Sequence, residues 1–135
     1  MATETTRRRM GIVVTTIVGV ILIVDAAMPL LAPDMMRAEM MATGWTFERA
    51  HVVSLITLAC ALLYLLPRTA VLGAILITGF CGGAIATHVR VEDGLTPPML
   101  ISLAIGIAAW AGLMLRDPRL RVFLPLVSSS ASTRS

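Results

Sequence analysis

The chain has 135 residues, of which 57% are hydrophobic and 14% are charged, and its mean hydropathy of +0.87 is far above that of soluble domains. A soluble protein of this size could not cover so much apolar surface with so few polar residues. The composition therefore excludes a soluble enzyme, and any chemistry must lie within or beside a membrane. The net charge of +3 comes from arginine alone, with no lysine. Because the arginines are not interleaved with aromatic residues, nucleic-acid binding is not expected.

Four apolar runs predict four membrane-spanning helices, at about residues 11–31, 50–66, 69–87 and 98–115. Each run is close to the ~20 residues that a helix needs to cross a hydrocarbon core. Only Pro67 and Arg68 separate the second run from the third, so these two helices must be antiparallel neighbours. The sequence thus predicts an all-α membrane protein with a single domain over residues 11–127, a four-transmembrane-helix antiparallel bundle. It is flanked by a polar tail (1–10) and a disordered Ser-rich tail (128–135).

The arginines also predict the orientation of the bundle. If the N-terminus is cytoplasmic, eight arginines lie on that side and three (Arg37, Arg49 and Arg90) lie on the other. The positive-inside rule therefore favours cytoplasmic N- and C-termini. The basic residues before the first run also resemble the start of a signal peptide. However, Asp25 precedes the only small-residue pair there, and a retained first helix is the better interpretation.

A short additional helix is predicted between the first two spans. Pro33 and Asp34 begin this segment and Gly44 follows it, an arrangement typical of helix boundaries. Four methionines are expected on one side of the helix, which would then lie on the outer membrane surface. They are Met35, Met36, Met40 and Met41.

Asp25 is the most informative single residue, because it lies inside the first span about one turn before the outer headgroups. An ionised Asp in hydrocarbon costs up to ~3 kcal/mol on insertion scales, so such acids usually have a function. Pro29 follows one turn later and cannot donate a hydrogen bond to the Asp25 carbonyl. A free acceptor is therefore expected beside the acid. The functional interpretation is favoured, and a structural one stays open.

Topology places further polar groups near the same outer face. His51 opens the second helix, while His88 and Arg90 end the third. Thr57 and Tyr64 share one face of the second helix, where they could line a cavity or simply form hydrogen bonds between helices. Two histidines and one aspartate without HxxH or CxxC spacing do not predict a metal site, and no catalytic residue can be named. The candidate pocket residues are Asp25, His51, Thr57, Tyr64, His88 and Arg90.

The third helix carries two further features. Gly79 and Gly83 form a GxxxG step, which predicts close packing against another helix. Cys81 lies on the same helix and Cys60 on the second, and the 1.5 Å rise per residue separates their expected levels by roughly 9 Å. That separation is too large for a disulfide, so both cysteines are expected to be buried packing residues.

Three segments give the sequence a specific resemblance to a known family. They are LACALLYLLPRTAVLGA (58–74), GGAIATHVR (82–90) and LRDPRLR (115–121). In these segments the chain resembles the DoxX-like integral membrane proteins, and the likeness extends over nearly all four spans. The resemblance implies a four-helix bundle of the bacterial inner membrane. Relatives often carry Lys where this chain has Pro29 and Glu where it has Thr57. Such relatives have an intramembrane trio of Asp, Lys and Glu, and only the Asp of this trio, Asp25, is present here.

The resemblance implies an accessory or membrane subunit of a quinone-linked redox or stress-response system. Quinone would be its ligand, and a membrane or periplasmic oxidoreductase its partner, with membrane lipids around the bundle. The alternatives are a small lipophile-binding or transport protein, or a structural anchor for a partner, and a homo-oligomer is left open. A self-sufficient enzyme is least favoured, because no nucleophile–base pair or cofactor motif is visible.

Overall fold

The computed structural model describes residues 2–123, and the predicted disordered tail (128–135) lies outside this range. The described residues form five α-helices and a terminal 3₁₀-helix, without a strand. The helices are α1 (Ala2–Leu31), α2 (Pro33–Thr43), α3 (Phe47–Leu65), α4 (Ala70–Val91) and α5 (Pro97–Arg116), followed by the 3₁₀-helix Pro118–Phe123.

Helices α1, α3, α4 and α5 are each long and apolar enough to cross a membrane, which confirms the predicted fold class. Apolar side chains such as Leu55, Ile75 and Ile107 are exposed on the outside of these helices and contact lipid. Helix α1 begins earlier than predicted, at Ala2, because hydropathy marks only the part of a helix that lies in hydrocarbon. The N-terminal segment thus continues the first span as helix. Its Glu4 lies in the first turn, where the helix dipole favours an acid.

The helices follow one another around the bundle in the order α1, α3, α4, α5. Helix α1 packs against α3 and α5, and α4 packs against the same two helices, so α1 and α4 face each other across the diagonal. The start of α1 and the end of α5 lie at the same end of the bundle, since Gly11 contacts the backbone of Leu115 and Arg116. The opposite end is covered by α2, which contacts both α1 and α4.

Close approach between helices occurs at glycines other than the predicted pair. A Cβ on Gly112 of α5 would lie 3.0 Å from Thr15 Oγ1 of α1, and Gly73 of α4 lies against the Tyr64 backbone of α3. Within residues 2–123, the prediction that Gly79 and Gly83 pack against another helix is not met. No atom of the described residues lies within 4 Å of a Cβ built at either position.

The reason is the direction of the buried face of α4. That face carries Gly73, Ala74, Ile77, Cys81 and His88. Apart from the adjacent Gly73 and Ala74, these residues follow one another at spacings of three, four or seven. Gly79 and Gly83 lie outside this buried face. They have the spacing of a packing motif, but they do not point toward the neighbouring helices.

The core fills the half of the bundle nearest the chain termini. Tyr64 is completely buried there, and its hydroxyl donates a hydrogen bond to the Ala109 carbonyl oxygen at 2.8 Å. This bond joins α3 to α5 across the second diagonal. Leu22 and Ile77 are the largest other side chains in the centre of this core.

Helix α2 has the bounds that Pro33 and Gly44 predicted, and Gly44 ends it in the left-handed conformation at φ 71°. Its methionines, however, do not share one side. Met40 is buried and Met36 half-buried, whereas Met35 and Met41 are exposed. The reason is that positions 36 and 40 are one turn apart and point toward the bundle, while their chain neighbours point away.

A candidate ligand-binding cavity

Between the core and α2 the helices separate around a cavity of about 590 Å³. All four spans and α2 contribute to its wall, so the cavity lies between the helices at the end remote from the chain termini. It is open to the surroundings, since the lining residues Asp25, Glu39 and Ile101 are exposed. The wall is largely apolar, with side chains such as Leu22, Phe80, Ile101 and Ile105. This volume lies within the range of roughly 300–1,000 Å³ found for small-molecule sites. A second depression, lined by Thr3, Thr6, Arg7 and Met10, gathers no comparable set of ionisable groups.

His88 forms the polar end of this cavity. It lies in the last turn of α4 and is 6% exposed. Its Nδ1 lies 3.3 Å from Oε2 of Glu92, one turn later in the chain, and its Nε2 lies 3.7 Å from Oε1 of Glu39 in α2. The second distance is too long for a hydrogen bond, and Nδ1 has none despite its short distance to Glu92. The imidazole thus stands between two carboxylates without a hydrogen bond to either.

Glu92 lies just beyond the end of α4, outside the spanning segments. Interaction with the Thr96 hydroxyl, and then with the His88 ring, holds the pKa of the Glu92 carboxyl below its usual range, although partial burial acts in the opposite direction. The contact with Thr96 is loose, because by strict distance and angle the Thr96 hydroxyl has no hydrogen-bond partner. Glu92 is consequently ionised at neutral pH and presents a negative charge to His88.

Asp25 lies on α1, diagonally across the bundle from α4, and its side chain lines the cavity. Within residues 2–123 it forms neither a hydrogen bond nor an ion pair. The charged group that acts on it most directly is Glu39, which has the same sign and repels it. Pro29, one turn further along α1, is buried and also lines the cavity. Among the described residues, the exposed side chain of Asp25 therefore has no partner at the cavity.

The structure brings together three of the six residues predicted for the pocket, namely Asp25, Thr57 and His88. Tyr64 is instead enclosed in the core below the cavity. His51 and Arg90 are exposed and do not line the cavity, although they lie at the same end of the bundle.

The hydroxyl of Thr57 is satisfied by its own helix, since it donates to the Val53 carbonyl oxygen at 2.9 Å. Ser54 donates in the same way to the Ala50 carbonyl oxygen, also at 2.9 Å. Bonds of this kind to the preceding turn are common for such residues in helices. The polar stripe of α3 therefore lines the cavity without keeping free donors there.

Sequence reasoning missed several residues of the site, above all Glu39 of α2. A signal was available, because Glu39 follows Met36 by three residues and precedes Met40, so all three occupy one side of α2. Cys81, Trp45 and other lining residues gave no signal beyond their place in or near an apolar run. Within residues 2–123 no set of three His, Cys, Asp or Glu side chains is arranged to hold a metal ion.

Four spans around a shared cavity define a small multi-pass membrane protein with a candidate binding site between its helices. A family model described as the DoxX-like family matches residues 13–112, which include nearly all of the bundle. The chain belongs to the DoxX-like family, as the resemblance of its sequence implied. No curated protein matches the chain, and no solved structure matches it.

Proposed function

We propose that the protein binds a small lipophilic molecule with a polar end in the cavity between its helices. One observation carries this proposal: a space of about 590 Å³ with apolar walls ends in a cluster of Asp25, Glu39 and His88. Apolar walls with a few convergent polar groups are the usual design of a ligand site. A bundle that served only as an anchor would have no need to keep such a space open.

Within this proposal, the family link favours an accessory subunit of a quinone-linked redox or stress-response system in the bacterial inner membrane. The lining residues are compatible with a quinone, because Ile101 and Ile105 would contact its ring and tail and the His88 ring could donate to a carbonyl oxygen. When bound, a quinone would supply the ability to accept two electrons and two protons. An oxidoreductase partner would supply the electrons. Transport of a lipophile is the alternative role for the same cavity.

Gly83 offers a direct test of the cavity. It lines the wall, and a Cβ there would meet nothing within 4 Å, so Gly83→Leu should place its side chain in open space without disturbing the backbone. Gly79→Leu is the matched control, since Gly79 is one turn away on the same helix, is equally unobstructed and does not line the cavity. Both variants replace glycine by leucine in α4, so their effects on helix propensity cancel in the comparison.

The measurement is the thermal unfolding of the full chain in detergent with increasing decylubiquinone. A ligand that binds only the folded protein raises the apparent Tm in a concentration-dependent manner. We expect a saturable rise for the natural chain and for Gly79→Leu, and its loss for Gly83→Leu. Equal rises in all three proteins, or a rise in none with any lipophile tested, would contradict the proposal.

A further inference from the structure

The geometry points to a more specific ligand class, which rests on the proposed function: we infer that the cavity selects a lipophilic organic cation. Such a molecule has an apolar body and a positively charged nitrogen. The apolar body would occupy the space between the spans, and the charge would lie between Asp25 of α1 and Glu39 of α2.

The first argument is the charge of the cavity wall. Its acidic groups are Asp25 and Glu39, and none of its described lining residues is an arginine. The arginines at the same end of the bundle are either paired with another residue or exposed outside the cavity. Arg37 donates to Asp34 at 2.9 Å and lies over the Phe47 ring. Arg49 and Arg90 are exposed and do not line the cavity. Asp25 lies inside a membrane span, where an ionised carboxylate requires a counter-charge, and the described residues place no arginine beside it.

The second argument is the state of His88. Its ring is more than nine-tenths buried, lines the cavity and forms no hydrogen bond. Even when protonated, it would offset only one of three carboxylates, because Glu92 and Glu39 lie on its two sides and Asp25 lies across the cavity. The carboxyl groups around the cavity thus outnumber the side chains that could neutralise them, and a bound cation would supply the missing charge.

The third argument concerns the other wall residues. Trp45 and Phe80 both line the cavity, and aromatic faces attract cations, with a larger effect where water is excluded. Met36 and Met40 line the side formed by α2, and methionine adapts to ligands of irregular shape. A neutral lipophile would use the apolar contacts and, where it carries an acceptor, the His88 ring, whereas a cation would use the acids and the aromatic rings.

The test compares two probes of nearly the same shape. Benzyltrimethylammonium carries a positive nitrogen, and neopentylbenzene has a neutral carbon in its place. The Kd of each would be obtained from the concentration dependence of the apparent Tm of the full chain. Asp25→Asn should raise the Kd of the cation about tenfold, equivalent to about 1.4 kcal/mol, and should leave that of the neutral probe unchanged.

Two further variants complete the design. Glu39→Gln removes the second acid on a different helix, so it tests the same inference if Asp25→Asn does not fold. Asp93→Asn is the charge-matched control, because Asp93 is exposed at the same end and does not line the cavity. It should leave both Kd values unchanged.

The outcomes separate this inference from the proposed function. If both probes bind, Gly83→Leu blocks both and neither acid variant weakens the cation, the cavity binds lipophiles but the inference of cation selection is wrong. If neither probe nor decylubiquinone binds, both proposals fail. If Asp93→Asn raised the Kd of the cation as much as Asp25→Asn does, the cation would be attracted by the acidic surface in general. That result would overturn the inference.

Discussion

Gly73→Ala tests the packing of the bundle with the smallest possible change. Gly73 is buried in α4, where an added Cβ would meet backbone atoms of α3, including the Leu63 carbonyl carbon at 2.8 Å and still closer atoms of Tyr64. A side chain could rotate away from the new methyl group, but a helix backbone cannot. The two helices would therefore have to move apart along their contact.

The expected effect is a balance of two terms. Overpacking of a close contact costs typically about 1–3 kcal/mol, and the better helix propensity of alanine returns at most about 1 kcal/mol. Because the obstruction here is backbone, we expect a net loss of about 1–2 kcal/mol. Gly79→Ala adds the same methyl group to the same helix with nothing within 4 Å. It should be neutral or stabilise the protein by up to about 1 kcal/mol.

The assay is reversible unfolding in mixed micelles, followed by circular dichroism as the fraction of denaturing detergent rises. The quantity compared is the free energy of unfolding of the two alanine variants. Equal stability of Gly73→Ala and Gly79→Ala would refute the close contact between α3 and α4. It would also remove the reason for rejecting Gly79 and Gly83 as the packing glycines.

Three further predictions concern other parts of the bundle. Tyr64→Phe deletes the hydroxyl that donates to the Ala109 carbonyl oxygen, and the same micelle titration should show a loss of about 0.6 kcal/mol and no more than about 1.7 kcal/mol. Because contacts with the Thr96 hydroxyl and then the His88 ring lower the pKa of Glu92, the ionised carboxylate stabilises the fold above its unfolded pKa, and this contribution disappears as the pH falls through the lower folded-state pKa. Glu92→Gln should therefore reduce the loss of thermal stability on acidification below about pH 4.5, and an unchanged pH profile would contradict the contact. Reporter tags on the two termini should both indicate the cytoplasm, and opposite signals would exclude the proposed orientation.

The fold was predictable because its main signals are one-dimensional. Run length and hydropathy give the number of spans, and the two-residue link at Pro67 and Arg68 gives their antiparallel pairing. The boundaries of α2 were visible in Pro33 and Gly44. By contrast, the packing face of α4 depends on where α3 and α5 lie around it. A GxxxG spacing carries no information about that direction.

The same distinction explains the partial success at the site. Chain connectivity gives the depth of each residue along the bundle, so it places Asp25, His51, His88 and Arg90 toward one end. Only rotation about each helix axis decides which of them face inward. Asp25 and His88 line the cavity, whereas the other two do not. Glu39 was missed because its position depends on how α2 crosses the bundle end. Its spacing from Met36 and Met40 indicates a shared side of α2, but not what that side faces.

The positions of the two cysteines have a practical consequence. Both are free thiols, yet Cys81 forms part of the cavity wall and Cys60 belongs only to the core. A bound ligand should protect Cys81 from a small alkylating reagent and leave the modification rate of Cys60 unaltered. The unmodified chain thus contains its own occupancy sensor together with an internal reference.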